Sequence, residues 1–427
     1  MSRVAAILGF LLAIAAAAAA ALIIFPAPSK TLALAAIVAG ERSVLIIAAA
    51  ILGAVLALIG SRPGTRALSM LSVLLGLTAI GIALIPPAQA LRLAGERRIE
   101  LDFGRYLGAG LDTEGPIKAE KTVPYASVDG RELGMDVYVP RRSGAAAPAS
   151  PAVLVIHGGG WSSGDKGDAS RFSRWLSERG YAVFDLDYRT KPQPNWKTAT
   201  GDVKCAIGWL KQHAATADWN VDPKRITLLG RSAGGHLALL AAYTPGDPKL
   251  PPSCEAADTT VESVVDYYGP TELTWDYAHP SRPAVYDSRA KEEGFVGGTP
   301  TSHADLYRLL SPALRVTPAA PRTLLIHGGR DQFVAKENAD LMAEKLQAAG
   351  VRYDVLLIPY AQHSFDFMFG GFSEQIVEAV LLKFLEGRPT ASAAAPPEEP
   401  PPPPDVPGSL PEQGPRPLDE GAGKDSK

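Results

Sequence analysis

A serine set between two glycines, where a short apolar run meets a helical one, is the first place in this chain where covalent chemistry could be done. In Ile226-Thr227-Leu228-Leu229-Gly230-Arg231-Ser232-Ala233-Gly234-Gly235-His236 the order strand, serine, helix fits the Gly-x-Ser-x-Gly elbow, a strained turn that lifts a hydroxyl clear of a sheet. The turn needs Gly230 and Gly234 because a Cβ at either flank would crowd the neighbouring chain. The helix that starts beside Ser232 aims free amide donors at the same point. An ordinary strand-to-helix turn gives the same five residues, so the reading depends on partners elsewhere.

A serine hydroxyl is a poor nucleophile until a base takes its proton, and the base needs an acid to fix its tautomer. With this elbow the chain order is serine, acid, histidine, the last two at the ends of later strands. His279, His303, His327 and His363 follow the elbow. His363 lies just past the strand-like Tyr353 to Ile358 and is the expected base, whereas any acid for His327 would have to precede it. Asp331, after the strand-like Thr323 to Ile326, is the expected acid. Asp354 falls in or before the last strand, and Asp366 follows the histidine.

An acyl-transfer intermediate also needs backbone donors with no side chains in the way. Val153 to Ile156 runs into His157-Gly158-Gly159-Gly160-Trp161, so Gly159, Gly160 and the amide of Ala233 are the expected oxyanion donors. A phosphate cradle would end in Gly-Lys-Ser/Thr, which is absent. His157 reads as a brace for its loop, since it precedes the elbow and shares the glycine run.

These residues must be held by elements, and the hydropathy pattern supplies them. Val123 to Pro140 alternates around Asp129-Gly130 as a hairpin. Strand-like runs then alternate with amphipathic helical ones (169–179, 199–213, 337–349 and 373–386), which predicts a mostly parallel sheet with helices on both faces, an α/β fold. Thr271 to Pro318 breaks the rhythm and is expected as a lid-like insertion, with Trp275, Tyr277 and Tyr286 as candidates to line a pocket.

Before this domain the chain is apolar. Val4 to Phe25 would make a helix of about 33 Å, a bilayer's hydrocarbon thickness. A signal peptide is the competing reading, but Val44 to Ile59 and Ala67 to Ile85 are also nearly free of polar side chains. Three transmembrane helices within residues 1–90 are expected, with two as the alternative. The second is short, and could borrow Thr31 to Ala39 if Glu41 and Arg42 sat at the interface. Residues 91–122 read as a juxtamembrane connector, 123–387 as the catalytic domain and 388–427 as a disordered Pro-rich tail whose partner, if any, is open.

Composition narrows the class further. A net charge of -3 over 427 residues gives no footprint for nucleic acid. Two cysteines, Cys205 and Cys254, exclude a disulfide-built scaffold and a cysteine-based zinc cluster. Counting Lys and Arg around the apolar runs puts the C-terminal domain in the cytoplasm by a small margin, whereas a Cys205–Cys254 disulfide would argue for export. The expected positions, one in a helix and one in a Pro-rich loop, do not favour that pairing, and the side stays open.

Taken together, His157-Gly158-Gly159-Gly160-Trp161, Gly164-Asp165-Lys166, Asp187-Tyr188-Arg189, Gly230-Arg231-Ser232-Ala233-Gly234-Gly235-His236, His327-Gly328-Gly329-Arg330-Asp331 and His363-Ser364-Phe365 resemble the α/β-hydrolase superfamily. The resemblance covers about Val123 to Leu385 and is nearest to hormone-sensitive-lipase-like esterases and the bacterial feruloyl and acetylxylan esterase group. It implies a cofactor-free and metal-free serine esterase with Ser232, Asp331 and His363 as triad. Many hormone-sensitive-lipase-like members carry Asp before the serine, where Arg231 stands here; Gly164-Asp165-Lys166 and Gly235-His236 look more like the feruloyl and acetylxylan group.

The expectation is therefore a multi-pass membrane carboxylesterase or lipase, held in the bilayer by its N-terminal helices and cutting short to medium acyl esters, lipid-derived ones included. A prolyl-oligopeptidase-like peptidase shares the triad, although those enzymes usually carry a propeller domain. A catalytically silent hydrolase fold used as a membrane-tethered binding module is the alternative of another class.

Overall fold

The computed structural model describes residues 2–108, 117–140, 148–214 and 219–388. The Pro-rich tail and part of the expected connector, 109–116, lie outside the described residues.

The chain opens with four apolar helices, α1 (Ser2–Ile24), α2 (Lys30–Glu41), α3 (Ser43–Ile59) and α4 (Arg66–Ala83), followed by α5 (Ile85–Arg97) and the short α6 (Phe103–Gly108). Among the described residues, two stretches are long and apolar enough to cross a membrane, Ser2–Ile24 and the continuous Arg66–Arg97. The middle segment departs from expectation. Instead of lengthening α3, α2 meets it at an angle of 85°.

The reason is that Glu41 and Arg42 are buried against the rest of the protein and not at a lipid interface. Glu41 Oε1 accepts from Ser373 Oγ (2.6 Å), and Arg42 donates to the carbonyls of Tyr106 (3.1 Å) and Phe369 (3.0 Å). The connector is also more ordered than its polarity suggests. α5 runs on to Arg97, which donates to Val355 O at 2.8 Å, while Ala90 and Ala94 are buried in the core that covers one face of the sheet.

That sheet has eight strands: β1 (Lys121–Val128), β2 (Arg131–Tyr138), β3 (Ser150–Ile156), β4 (Ala182–Leu186), β5 (Val221–Arg231), β6 (Ser263–Tyr267), β7 (Arg322–Gly328) and β8 (Tyr353–Ile358), in the order β1-β2-β4-β3-β5-β6-β7-β8. β1 and β2 form the hairpin, and Asp129 and Gly130 take φ of 52° and 74° as a two-residue turn requires. β2 meets β4 antiparallel, and from β4 to β8 all pairs are parallel. β4, β6 and β7 are buried along their whole length, because helices cover both faces.

Those helices are α7 (Ser170–Ser177), α8 (Trp196–His213), α9 (Ala233–Tyr243), then α10 (Leu273–Ala278), α11 (Ser288–Val296) and α12 (Ala304–Leu309), and finally α13 (Glu337–Ala348) and α14 (Phe372–Leu385). The insertion between β6 and β7, irregular by pattern, thus holds three short α-helices and a 3-10 turn over Pro312–Arg315.

Cys205 and Cys254 form a disulfide with their Cα atoms 5.5 Å apart. The loop after α9 folds back over α8, which the sequence pattern did not indicate. Buried Lys204 holds it there by donating to the carbonyls of Thr244 and, at 2.6 Å, Leu250, while Ser253 N donates to Gly201 O at 2.9 Å.

Candidate active site

Parallel pairing brings the ends of β3, β5, β6 and β7 side by side, with Ile156 opposite Gly230 and Tyr267 opposite Ile326. Ser232 follows β5 with φ 55° and ψ −122°, a left-handed backbone that a side chain rarely adopts. Its amide donates to Tyr267 O (2.8 Å), fixing the turn against β6. A Cβ on Gly234 would stand 2.2 Å from Ile156 O and 2.4 Å from His157 O, so only glycine lets α9 approach the end of β3 this closely.

Asp331 lies beyond β7 and His363 beyond β8. Asp331 Oδ1 accepts from the amides of Phe333 (2.8 Å) and Val334 (3.0 Å), and Oδ2 accepts from His363 Nδ1 (2.7 Å). Burial alone would raise the pKa of this carboxyl. The charge of His363 and hydrogen bonds from His327 and His363 outweigh it and hold Asp331 well below the usual carboxylate range. An ionised acceptor at Nδ1 keeps the proton there and leaves Nε2 free to act as base. The ring is stacked on Phe333 (centroids 5.0 Å) and leans on Tyr268 (4.4 Å). Buried His327 donates from Nε2 to Val334 O (3.2 Å), with that nitrogen 3.5 Å from Asp331 Oδ2.

Ser232 and His363 share a cavity of about 270 Å³ with Gly158, Gly159 and Gly160. Among the described residues, the amides of Gly159, Gly160 and Ala233 make no hydrogen bond. Gly159 has φ 107°, and the loop is braced on several sides. His157 Nδ1 donates to Gly158 O (2.8 Å) while its ring, kept neutral by burial, stacks on Tyr188 at 4.3 Å. Lys166 pairs with Asp187 at 2.9 Å, tying Gly164-Asp165-Lys166 to Asp187-Tyr188-Arg189. A larger surface hollow, about 550 Å³ beside Lys211 and Glu262, contains none of these groups.

Residues 135–346, just under half of the chain, match the BD-FAE family. The chain is 33% identical to the esterase LipC of Mycobacterium tuberculosis over 253 residues, which is 58% of this chain and 60% of that protein. It is 32% identical to the probable carboxylic ester hydrolase LipM of the same organism over 223 residues, 51% of this chain and 50% of that protein. It thus spans half to three fifths of these curated relatives. Among solved structures, esterase 2 of Thermogutta terrifontis in its apo form is similar at 25% identity and a TM-score of 0.51, over 65% of this chain and 97% of that one. The chain carries the α/β-hydrolase fold.

Within that α/β-hydrolase frame, three groups near the serine escaped sequence reasoning. His236, noted only as part of a motif, is buried on α9. Its Nδ1 accepts from Trp161 Nε1 (3.2 Å) and its Nε2 donates to Leu310 O (2.8 Å). Asn195 Nδ2 donates to the carbonyls of Trp161 (2.8 Å) and Arg189 (3.0 Å). Asp366, weighed only as an acid, pairs instead with Arg231 (2.5 Å) and accepts from Tyr268 Oη. Its position three residues after His363 was the one available signal.

The aromatic candidates of the insertion divide. Tyr286 lines the cavity. Trp275 stacks on His279 and Tyr277 packs on Tyr307, so these two hold the insertion together.

Proposed function

We propose that the protein is a membrane-anchored serine carboxylesterase that cuts short to medium acyl esters. The observation that carries this reading is the 2.7 Å contact from His363 Nδ1 to buried Asp331, with His363 lining the cavity that also holds Ser232. His363 Nε2 takes the proton of Ser232 as Oγ attacks the ester carbonyl. The amides of Gly159, Gly160 and Ala233 receive the oxyanion, and His363 returns the proton to the leaving alcohol. Water then releases the acid by the same steps, with no cofactor. The names of LipC and LipM, an esterase and a probable carboxylic ester hydrolase, support the reaction class.

Beside Ser232 the open space bordered by Trp161, Tyr286, Val334 and the carboxyls of Asp276 and Glu292 is only about 10 Å³, which favours the short end of the acyl range. The apolar stretches Ser2–Ile24 and Arg66–Arg97, with the bent pair between them, support the anchor. The Cys205–Cys254 disulfide supports an oxidising side for the catalytic domain against the narrow Lys and Arg count.

Full-length protein should hydrolyse a nitrophenyl acetate or butyrate, and a fluorophosphonate should label Ser232. Ser232→Ala should abolish both. Turnover that survives the substitution would remove Ser232 from the mechanism.

A further inference from the structure

The turn between α1 and α2 is bonded to the catalytic loops. Ala27 N donates to Gln332 Oε1 (2.7 Å), Arg330 donates to Ile24 O, and Arg282 Nε donates to Ala27 O (2.9 Å). Arg330 and Gln332 are the two neighbours of Asp331. Ala27 and Ala33 are buried with Val285 against Tyr286 and Phe333, and Phe333 is the ring on which His363 stacks. The segment read as anchor therefore supplies a wall of the catalytic cavity. Lys30, the first residue of α2, lines that cavity beside Ser232 and His363.

Two further observations describe what this wall meets. Lys30 and Lys291 both border the cavity, and among the described residues neither ammonium is in an ion pair; Lys291 Nζ donates only to Ser162 Oγ (3.0 Å). Asp168 is the carboxylate on the same wall, and its Oδ2 accepts from Asp165 N (3.1 Å). At the same edge, α2 turns Leu34 and Val38 outward, 48% and 47% exposed, and Phe25 is 62% exposed. These side chains continue the outward apolar faces of α1 and α3, where Leu11, Ile51 and Leu58 are exposed to a similar degree. With α3 spanning a bilayer, α2, bent 85° from it, would run along the membrane surface and set Lys30 at headgroup depth.

We infer that the cavity draws its substrate sideways from the adjoining leaflet, and that this substrate is an anionic amphiphilic ester. Its short acyl group occupies the narrow space beyond Ser232, its hydrocarbon anchor lies along α2, and its anionic group is met by Lys30 and Lys291. The inference rests on the serine esterase reading above and adds to it a substrate class and a specificity residue.

The test uses full-length protein in phosphatidylcholine vesicles. The probes are two hexadecyl ether lipids bearing a single acetyl ester, one with a phosphoglycerol and one with a phosphocholine headgroup. Acetate release should favour the anionic lipid in kcat/KM, and Lys30→Glu should lower that preference roughly tenfold, the effect of reversing one partly solvated charge. Leu34→Asp with Val38→Asp should lower turnover of the vesicle-borne ester relative to nitrophenyl acetate in water. Equal rates on the two lipids, or a preference unchanged in Lys30→Glu, would overturn the inference while nitrophenyl acetate turnover kept the esterase reading intact. Failure of the native protein on nitrophenyl acetate as well would overturn both.

Discussion

Trp161 Nε1 donates to His236 Nδ1 across 3.2 Å, so the glycine loop after β3 and the helix that begins at Ser232 share a hydrogen bond inside the core. The other imidazole nitrogen donates to Leu310 O and ties both to the insertion. A second proton on this ring would set N–H against N–H.

The contribution of His236 to stability should therefore fall with acid in a defined window. Burial lowers the His236 pKa from 6.5 to about 4, so the neutral form is favoured in the folded protein. A group depressed in this way contributes stability that is complete above 6.5 and is lost as pH falls from there through about 4. The loss amounts to about 3 kcal/mol. Burial pushes Asp185 up to about 8 and Asp266 up to about 7, and both slope the other way. The His236 share is thus the difference between the native protein and His236→Asn in denaturant titrations across that range, and it should grow as pH rises from about 4 to 6.5.

Asp331→Asn should leave the fold intact and reduce kcat by roughly 10⁴, because an amide at Oδ2 no longer selects the His363 tautomer with Nε2 free. Burst kinetics on nitrophenyl butyrate read this directly. A drop of less than tenfold would assign the orienting role elsewhere.

Gly234→Ala places a methyl group against two backbone carbonyls that cannot move aside as a side chain would. The substitution should cost about 3 kcal/mol and displace Ser232 from the loop amides. The expected signature is a lowered thermal midpoint together with loss of fluorophosphonate labelling. Labelling at the native rate would show that the approach of α9 to β3 is not needed for reactivity.

The disulfide closes a separation of 49 residues. By loop-closure entropy, replacing both cysteines with serine should cost about 4 kcal/mol. In protein denatured directly from cells without reductant, maleimide–polyethylene glycol should add to neither Cys205 nor Cys254 until the disulfide is reduced, and labelling before reduction would show that the two thiols are free in the cell.

What could be read from the sequence follows from how local the cause is. The elbow and the glycine loop were legible because backbone geometry there admits few residue types. The placement of Asp331 and His363 at strand ends, within reach of each other, was legible because each follows an apolar run of strand length. The bend at Arg42 was not, since the partners of Glu41 and Arg42 are Ser373, Tyr106 and Phe369, far along the chain. Hydropathy treats two charges in an apolar run as an interface and cannot see protein around them. The pairing of Cys205 with Cys254 was hidden for the same reason: the loop returns because Lys204 binds its carbonyls. The three helices of the insertion are too short to leave a period.

The bend at Glu41 and Arg42 has a mechanical consequence. A tether lets its cargo sweep a hemisphere, but this helix pair is pinned at Ser373, Phe369 and Tyr106, and the preceding turn at Arg330 and Gln332. Torque on the bundle would pass through these bonds to the loops that carry Asp331 and His363. Anchored in a bilayer as proposed, such an enzyme would have a heading instead of a reach, and its encounters would be governed by the crowding of molecules in a plane and not by their concentration in a volume.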